Sequence, residues 1–264
     1  MPYWMDKVAI VTGGSSGLGL VIARSLVGQG AKVFIAARDA ERLRTAAQQI
    51  AATGITADVT RQEDVERLVN AVVGEQGRLD LLVNCAGRSS RGAIAETTAG
   101  QFQELLELNF LAAVRTTRAA LPHLLNARGH VVQIGSLAAK TGSPHLGAYP
   151  ASKFPLAAYC QQLRLELGPQ GLHVLLVCPG PLRRDDAGSR YDAASSNLPD
   201  SARKPGGGVK LKGIDPDWLA RRVLIACERR MPELVVPGKA RLLFAISQLW
   251  PSLGDWIVKR MTGA

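Results

Sequence analysis

Runs of Val, Ile, Leu and other apolar residues recur at Val8–Val11, Val33–Ile35, Leu79–Val83, Val131–Ile134 and Val174–Val177. Between them lie longer stretches whose apolar positions return at helical spacing. Strands that alternate with helices in this way pair in parallel, and strands covered on both faces read as nearly unbroken apolar runs. The pattern therefore predicts an α/β fold with a doubly wound parallel sheet. The segment Val21–Gln29 reads as the helix after the first strand, ending at Gly30. A polar, glycine-rich interval from about residue 181 to 213 reads as a lid, and the stretch from about 239 to 262 as helical.

Length and composition narrow this further. With 264 residues and 47% hydrophobic content, the chain can bury one sizeable core, so residues 1–264 are read as one domain. The start, Met1 to Lys7, runs straight into the first strand and leaves no room for a cleavable leader. Leu242–Val258 is interrupted by Gln248, Pro251 and Asp255, too polar for a continuous membrane span. Cys85, Cys160, Cys178 and Cys227 stand far apart with no CxxC pair, which argues against a metal site or a disulfide framework and for a reduced, cytoplasmic setting. The net charge of +10 favours an anionic ligand or surface. No basic stretch carries the interleaved aromatics or motif spacing of a nucleic-acid module, so no nucleic-acid partner is expected.

Chemistry enters at the first turn. The glycine-rich stretch Thr12 to Gly19, directly after strand one, places Gly13, Ser15, Ser16, Gly17, Leu18 and Gly19 where backbone amides at a helix start would face a pyrophosphate. The second strand ends in Ala37-Arg38, where a site for NAD(H) usually carries a carboxylate for the ribose hydroxyls. A guanidinium suits a 2′-phosphate instead, so NADP(H) is expected in preference to NAD(H). The lesser alternative is that Arg38 caps or solvates the following helix. Further on, Tyr149 and Lys153 are four residues apart, hence on one face of a helix, with Ser136 upstream. An adjacent ammonium favours the phenolate, so Tyr149 is expected to exchange protons near neutrality.

These residues resemble the short-chain dehydrogenase/reductase family from Lys7 to about Gly180. The resemblance is carried by the TGxxxGxG pattern at Thr12–Gly19, Asp58-Val59, Asn84-Cys85-Ala86-Gly87, Asn109, Ser136, the YxxxK pair and Pro179-Gly180. It implies a Rossmann fold and hydride transfer between the nicotinamide and a carbonyl or alcohol carbon. Tyr149 would protonate the carbonyl oxygen, Ser136 would hydrogen-bond it, Lys153 would bind the nicotinamide ribose, and Asn109 would hold a water linked to Lys153. Asp58 and Val59 would contact adenine. Asn84, Ala86, Gly87, Pro179, Gly180 and Leu182 would line the cofactor, and a homodimer or homotetramer is implied.

Some positions depart from the family pattern. Pro155 inside the expected catalytic helix predicts a kink there, whereas Pro150 fits a first turn. Arg184 stands where many relatives have a threonine on the nicotinamide amide, and Cys85 replaces an asparagine, read as packing variation. Arg88, Arg91, Lys140, Arg183 and Arg184 could attract an anionic small-molecule substrate or carrier, while Leu137, Leu146, Pro181 and Leu182 could take an acyl chain; equally, most of these cations could be solvated loop charges. The expected substrate is a ketone, lipid-like 3-oxoacyl or otherwise hydrophobic. The alternative is a protein that senses NADPH with little turnover. The C-terminal segment, with two tryptophans and basic ends, is expected to cover the substrate cleft or a subunit interface in preference to lying on a bilayer.

Overall fold

The computed structural model describes residues 1–183, 198, 199, 202, 208 and 212–262. Its centre is a parallel sheet of β1 (Val8–Thr12), β2 (Lys32–Ala37), β3 (Thr53–Thr56), β4 (Leu81–Asn84), β5 (His130–Ile134), β6 (His173–Pro179) and β7 (Glu233–Val236). The order is β3-β2-β1-β4-β5-β6-β7. The chain thus winds outward one way from β1 through β3, then returns to the other side of β1 with β4. At that reversal the loops after β1 and β4 diverge, which opens a crevice at the carboxyl ends of the strands.

Helices cover both faces. They are α1 (Gly17–Val27), α2 (Ala40–Ile50), α3 (Gln62–Gln76), α4 (Ala99–Leu106), α5 (Ala112–Asn126), α6 (Tyr149–Leu167), α7 (Pro216–Glu228), α8 (Ala240–Leu249) and α9 (Pro251–Thr262). One core layer packs α1, α2 and α7 against residues such as Val11, Ile35 and Leu175. The other packs α3, α5 and α6 against Ile10, Phe34 and Leu176. Strand residues alternate between the two layers, as the pleat demands.

Helix α1 begins at Gly17, four residues before the expected Val21, and its C-cap is Gly28. Gly30 lies just beyond, with φ of +82°, as the turn into β2. Helix α6 continues without a break through Pro155 to Leu167, and Pro150 sits in its first turn. Pro155 interrupts neither end of this helix, although an interior proline removes one hydrogen bond from the ladder and crowds the preceding turn. The C-terminal stretch forms two helices rather than one, separated at Trp250-Pro251, and they cross where Gly254 lies against Ser247. No described helix is long and apolar enough to cross a membrane.

At the opposite end of the sheet from the crevice, the N-terminal segment is tied down. Trp4 is buried and its indole N–H donates to Glu228. Tyr3 Oη lies 2.7 Å from His130 Nε2, His130 Nδ1 lies 2.8 Å from His173 Nδ1, and His173 Nε2 lies 2.8 Å from the Met231 carbonyl. A carbonyl only accepts, so His173 carries its proton on Nε2 and accepts on Nδ1. His130 then donates from Nδ1 and accepts the Tyr3 hydroxyl proton on Nε2. Every ring nitrogen is satisfied with both imidazoles neutral. Cys227 Sγ completes a cluster of ligand-type atoms here. The 2.8 Å nitrogen pair is nonetheless a shared-proton distance, shorter than the roughly 3.3 Å between two ligands of a tetrahedral zinc.

Candidate active site

The crevice is a cleft of about 750 Å³. Its floor is the turn between β1 and α1, where Gly13, Ser15, Ser16, Gly17, Leu18 and Gly19 all line it. Ser16 is the N-cap of α1, yet no side chain caps the helix and no acidic residue stands in its first turn. The first amide N–H groups therefore lack an internal partner, and with the helix dipole they suit an anion such as a pyrophosphate. The turn admits no side chain at Gly19, whose added Cβ would lie 2.4 Å from the Gly13 carbonyl oxygen. Thr12 locks this turn to the one after β4: its hydroxyl accepts the Cys85 and Ala86 N–H groups at 3.1 and 3.2 Å and donates to the Val83 carbonyl. Sequence reading missed that role, although Thr12 opens the motif.

Lys153 projects from α6 into the cleft beside Tyr149, and its ammonium donates to the Ile134 carbonyl at 2.9 Å. Burial lowers its pKa to about 8. The neighbouring thiols of Cys85 and Cys178 give it no opposing charge near neutrality, because burial pushes them up to about 11 and about 12. Ser136 follows β5 and also lines the cleft. Its Oγ accepts the Ala138 N–H at 3.1 Å, which leaves the serine O–H as a donor. Tyr149, Lys153 and Ser136 thus line the same cleft as the glycine turn.

Asn109 is buried and does not line the cleft; it stands in a π-helical turn at Glu107–Leu111 that joins α4 to α5. Such turns are rare and insert one extra residue into the helical register. Its amide donates to the Arg88 carbonyl and to Ser152 Oγ at 2.9 and 2.8 Å, and its Oδ1 accepts the Arg88 N–H at 2.9 Å. Ser152 in turn donates to the Tyr149 carbonyl at 2.7 Å. The side chain is spent on protein groups, so it fixes the loop after β4 to the start of α6. Gly87 is required at this contact: a Cβ there would meet Asn109 Oδ1 at 2.6 Å. The Ser152 link was not read from the sequence, although its place between Tyr149 and Lys153 on α6 was visible.

The remaining expected cofactor residues divide. Ala86, Gly87, Pro179, Gly180 and Leu182 line the cleft. Asn84 does not: Thr116 donates to its Oδ1 at 2.6 Å, and its Nδ2 donates to Thr117 Oγ1 at 2.9 Å. The side chain points into α5 and ties that helix to β4. Arg38, Asp58 and Val59 lie outside the cleft walls, at the ends of β2 and β3. Asp39, not Arg38, caps α2. The Arg38 guanidinium is 68% exposed and 3.8 Å from the Asp58 carboxylate, whose Oδ1 also accepts from Thr60. Val59 is buried against Val65 and Ala112.

Much of the remaining lining is apolar. Leu137 and Leu146 belong to it together with Pro181 and Leu182, and the inward faces of α8 and α9 add Leu243, Phe244, Ile246, Ile257, Val258 and Met261. The cations expected to draw an anionic substrate are engaged within the protein. Arg88 pairs with Glu104, Lys140 with Glu233 at 2.7 Å and Arg183 with Asp215, while the buried Arg91 donates to the Ala202 and Ser90 carbonyls. Arg184 and most of the proposed lid lie outside the described residues.

Comparison with known proteins agrees with this geometry. The family model described as short chain dehydrogenase matches residues 7–193. An L-fucose dehydrogenase of Bos taurus is 36% identical over 248 residues, covering 90% of this chain and 91% of that one. The solved structure of a short-chain dehydrogenase from Streptomyces avermitilis superposes with a TM-score of 0.78 at 30% identity, covering 97% and 96% of the two chains. That of a variant of actinorhodin polyketide ketoreductase with NADPH gives 0.77 at 32% identity, over 89% and 97%. The chain belongs to the short-chain dehydrogenase/reductase family, oxidoreductases that work with a nicotinamide cofactor on alcohol and carbonyl carbons.

Proposed function

We propose that the protein is an NADP(H)-dependent reductase of a hydrophobic ketone, or in reverse a dehydrogenase of the alcohol, with a lipid-like 3-oxoacyl compound as the model substrate. The observation that carries this reading is the cleft itself. It brings Ser136, Tyr149 and Lys153 to the uncapped start of α1 and closes over them with aliphatic and aromatic side chains.

When bound, the nicotinamide supplies or accepts the hydride. Tyr149 gives its phenolic proton to the carbonyl oxygen in reduction and takes it back in oxidation. The Ser136 O–H donates to the same oxygen and stabilises the charge that develops there. The Lys153 ammonium, one helical turn from Tyr149, favours the phenolate left behind and offers donors to the nicotinamide ribose. Asn109 acts as a positioning residue. Gly13, Ser15, Ser16, Gly17, Leu18 and Gly19 hold the pyrophosphate, and Ala86, Gly87, Pro179, Gly180 and Leu182 frame the nicotinamide half. Asp58 and Val59 serve the adenine, and Arg38 the 2′-phosphate. The Arg38–Asp58 pair is no obstacle: an exposed ion pair at 3.8 Å is worth under about 1 kcal/mol, so a phosphate displaces it readily. The NADPH named with the polyketide ketoreductase supports the same cofactor. Exposed Leu111, Phe154 and Leu165, before and along α6, offer apolar surface for a homodimer or homotetramer.

Turnover is tested by following NADPH absorbance with 3-oxoacyl thioesters, long-chain ketones, steroids and small diketones. The expected result is that kcat/KM rises with the apolar surface of the ketone. Tight NADPH binding with no turnover on any of them would replace this reading with nucleotide sensing. Cofactor choice is tested by Arg38→Asp, which is expected to shift the NADPH-to-NADH affinity ratio about ten- to hundredfold toward NADH, the worth of one charge-assisted contact. An unchanged ratio would remove Arg38 from the site.

A further inference from the structure

Helix α9 is apolar on two faces. Its inward face, Ile257, Val258 and Met261, walls the cleft. Its outward face carries Leu253 and Trp256, at 45% and 56% exposure, and the adjoining turn carries Leu249 and Trp250, at 68% and 60%. These four side chains form an apolar strip in water that the cleft does not explain. Bulky apolar groups gathered at one exposed place mark a surface that meets something else.

The charges around the strip say what that is. Between residues 239 and 262 stand Lys239, Arg241, Lys259 and Arg260 against Asp255 alone, a net charge of +3; Lys239 faces the cleft and Arg241 donates to the Glu233 carbonyl, so Lys259 and Arg260 on α9 are the cations beside the strip. On α9, Leu253, Trp256 and Arg260 fall at i, i+3 and i+7, one helical stripe. The Arg260 guanidinium lies 5.4 Å from the centre of the Trp256 ring, so cation and indole share that edge. Tryptophan prefers the boundary between hydrocarbon and water, and lysine or arginine beside it is drawn to acidic headgroups. A protein partner would suit the apolar strip alone. The basic rim beside two exposed indoles suits an anionic bilayer.

We infer that the turn between α8 and α9 and the outward face of α9 form a docking surface for anionic lipid membranes. The protein lies on the bilayer without spanning it. The two helices that meet lipid are the same two that wall the cleft, so a hydrophobic molecule dissolved in the bilayer is brought next to the site. The docking itself does not depend on the reaction assigned to that site.

The test is flotation of the full-length protein with vesicles of phosphatidylcholine, with and without phosphatidylserine. Wild type is expected to float with the phosphatidylserine vesicles and to be released by salt. The triple variant Trp250→Ser, Leu253→Ser and Trp256→Ser is expected to lose about tenfold or more of that partitioning. Lys259→Glu with Arg260→Glu is expected to lose the preference for phosphatidylserine. None of these side chains lines the cleft, so NADPH binding by each variant serves as the check that it has folded. Three results would overturn the inference: no flotation of wild type, equal flotation of the triple variant, or a sedimentation mass that falls to the monomer in the triple variant while wild type binds no vesicle. The last would assign the strip to a second copy of the chain.

Discussion

Tyr149→Phe is expected to lower kcat for ketone reduction by about 10²- to 10⁴-fold, the usual contribution of a positioned proton donor, while the Kd for NADPH changes little. The substitution removes only the hydroxyl. The ring remains at the head of α6, and the hydrogen bond that Ser152 donates goes to the Tyr149 carbonyl, which phenylalanine keeps. The glycine turn and Lys153 stay in place, so cofactor binding and proton transfer separate cleanly. A second signature comes from pH. Burial holds the Lys153 pKa at about 8, below the ordinary lysine value, so in the free enzyme its positive charge is lost as pH rises through about 8. If that charge supports Tyr149, kcat/KM for reduction falls above that pH. Full activity of Tyr149→Phe across the ketone panel would sink the mechanism.

What the sequence revealed follows the physics of each segment. The strands with both faces buried announced themselves as apolar runs: β1 is buried at every position and β6 likewise. The edge strands did not. β3 is Thr-Gly-Ile-Thr with no buried residue, and β7 is a short strand on the other flank of the sheet. The glycine turn was legible from its place after β1, but α1 started earlier than its apolar spacing suggested. Glycine reads as a helix breaker there, yet is needed at Gly19 because nothing larger fits against Gly13. Motif spacing brought Ser136, Tyr149 and Lys153 to one place but was blind to side-chain direction, as Asn84 shows. It was equally blind to distant partners. Arg88, Lys140 and Arg183 read as cations available to a substrate because Glu104, Glu233 and Asp215 stand far from them in sequence.

Acidification from pH 7 to pH 5 is expected to lower the melting temperature steeply, through the two histidines at the far end of the sheet. His130 and His173 are 1% and 5% exposed, and burial lowers their pKa values to about 3 and about 4. His173 further opposes charge on His130, the His173 bond to Met231 works against the shift of its own ring, and Arg230 adds repulsion at both. The sign follows from proton counting. In the unfolded chain a histidine titrates near 6.5, so above that pH neither state binds the proton and the native contribution is whole. Below 6.5 the unfolded chain takes up protons that the folded one refuses, and stability falls by about 1.4 kcal/mol per pH unit for each histidine. Over the 1.5 units to pH 5 the pair costs roughly 4 kcal/mol, a large share of the 5–15 kcal/mol that holds a typical domain. Coupling between the rings does not reduce this above pH 5, because both stay neutral in the folded state. The measurement is the melting temperature against pH for wild type and for Tyr3→Phe, beside the imidazole NMR signals of the native protein. Those signals are expected to stay fixed down to pH 5, and the Tyr3 variant is expected to keep the slope while melting lower throughout. Native titration of either imidazole near pH 6.5 would break the neutral chain from Tyr3 to Met231 and, with it, the tie that this chain makes between the N-terminal segment and the sheet.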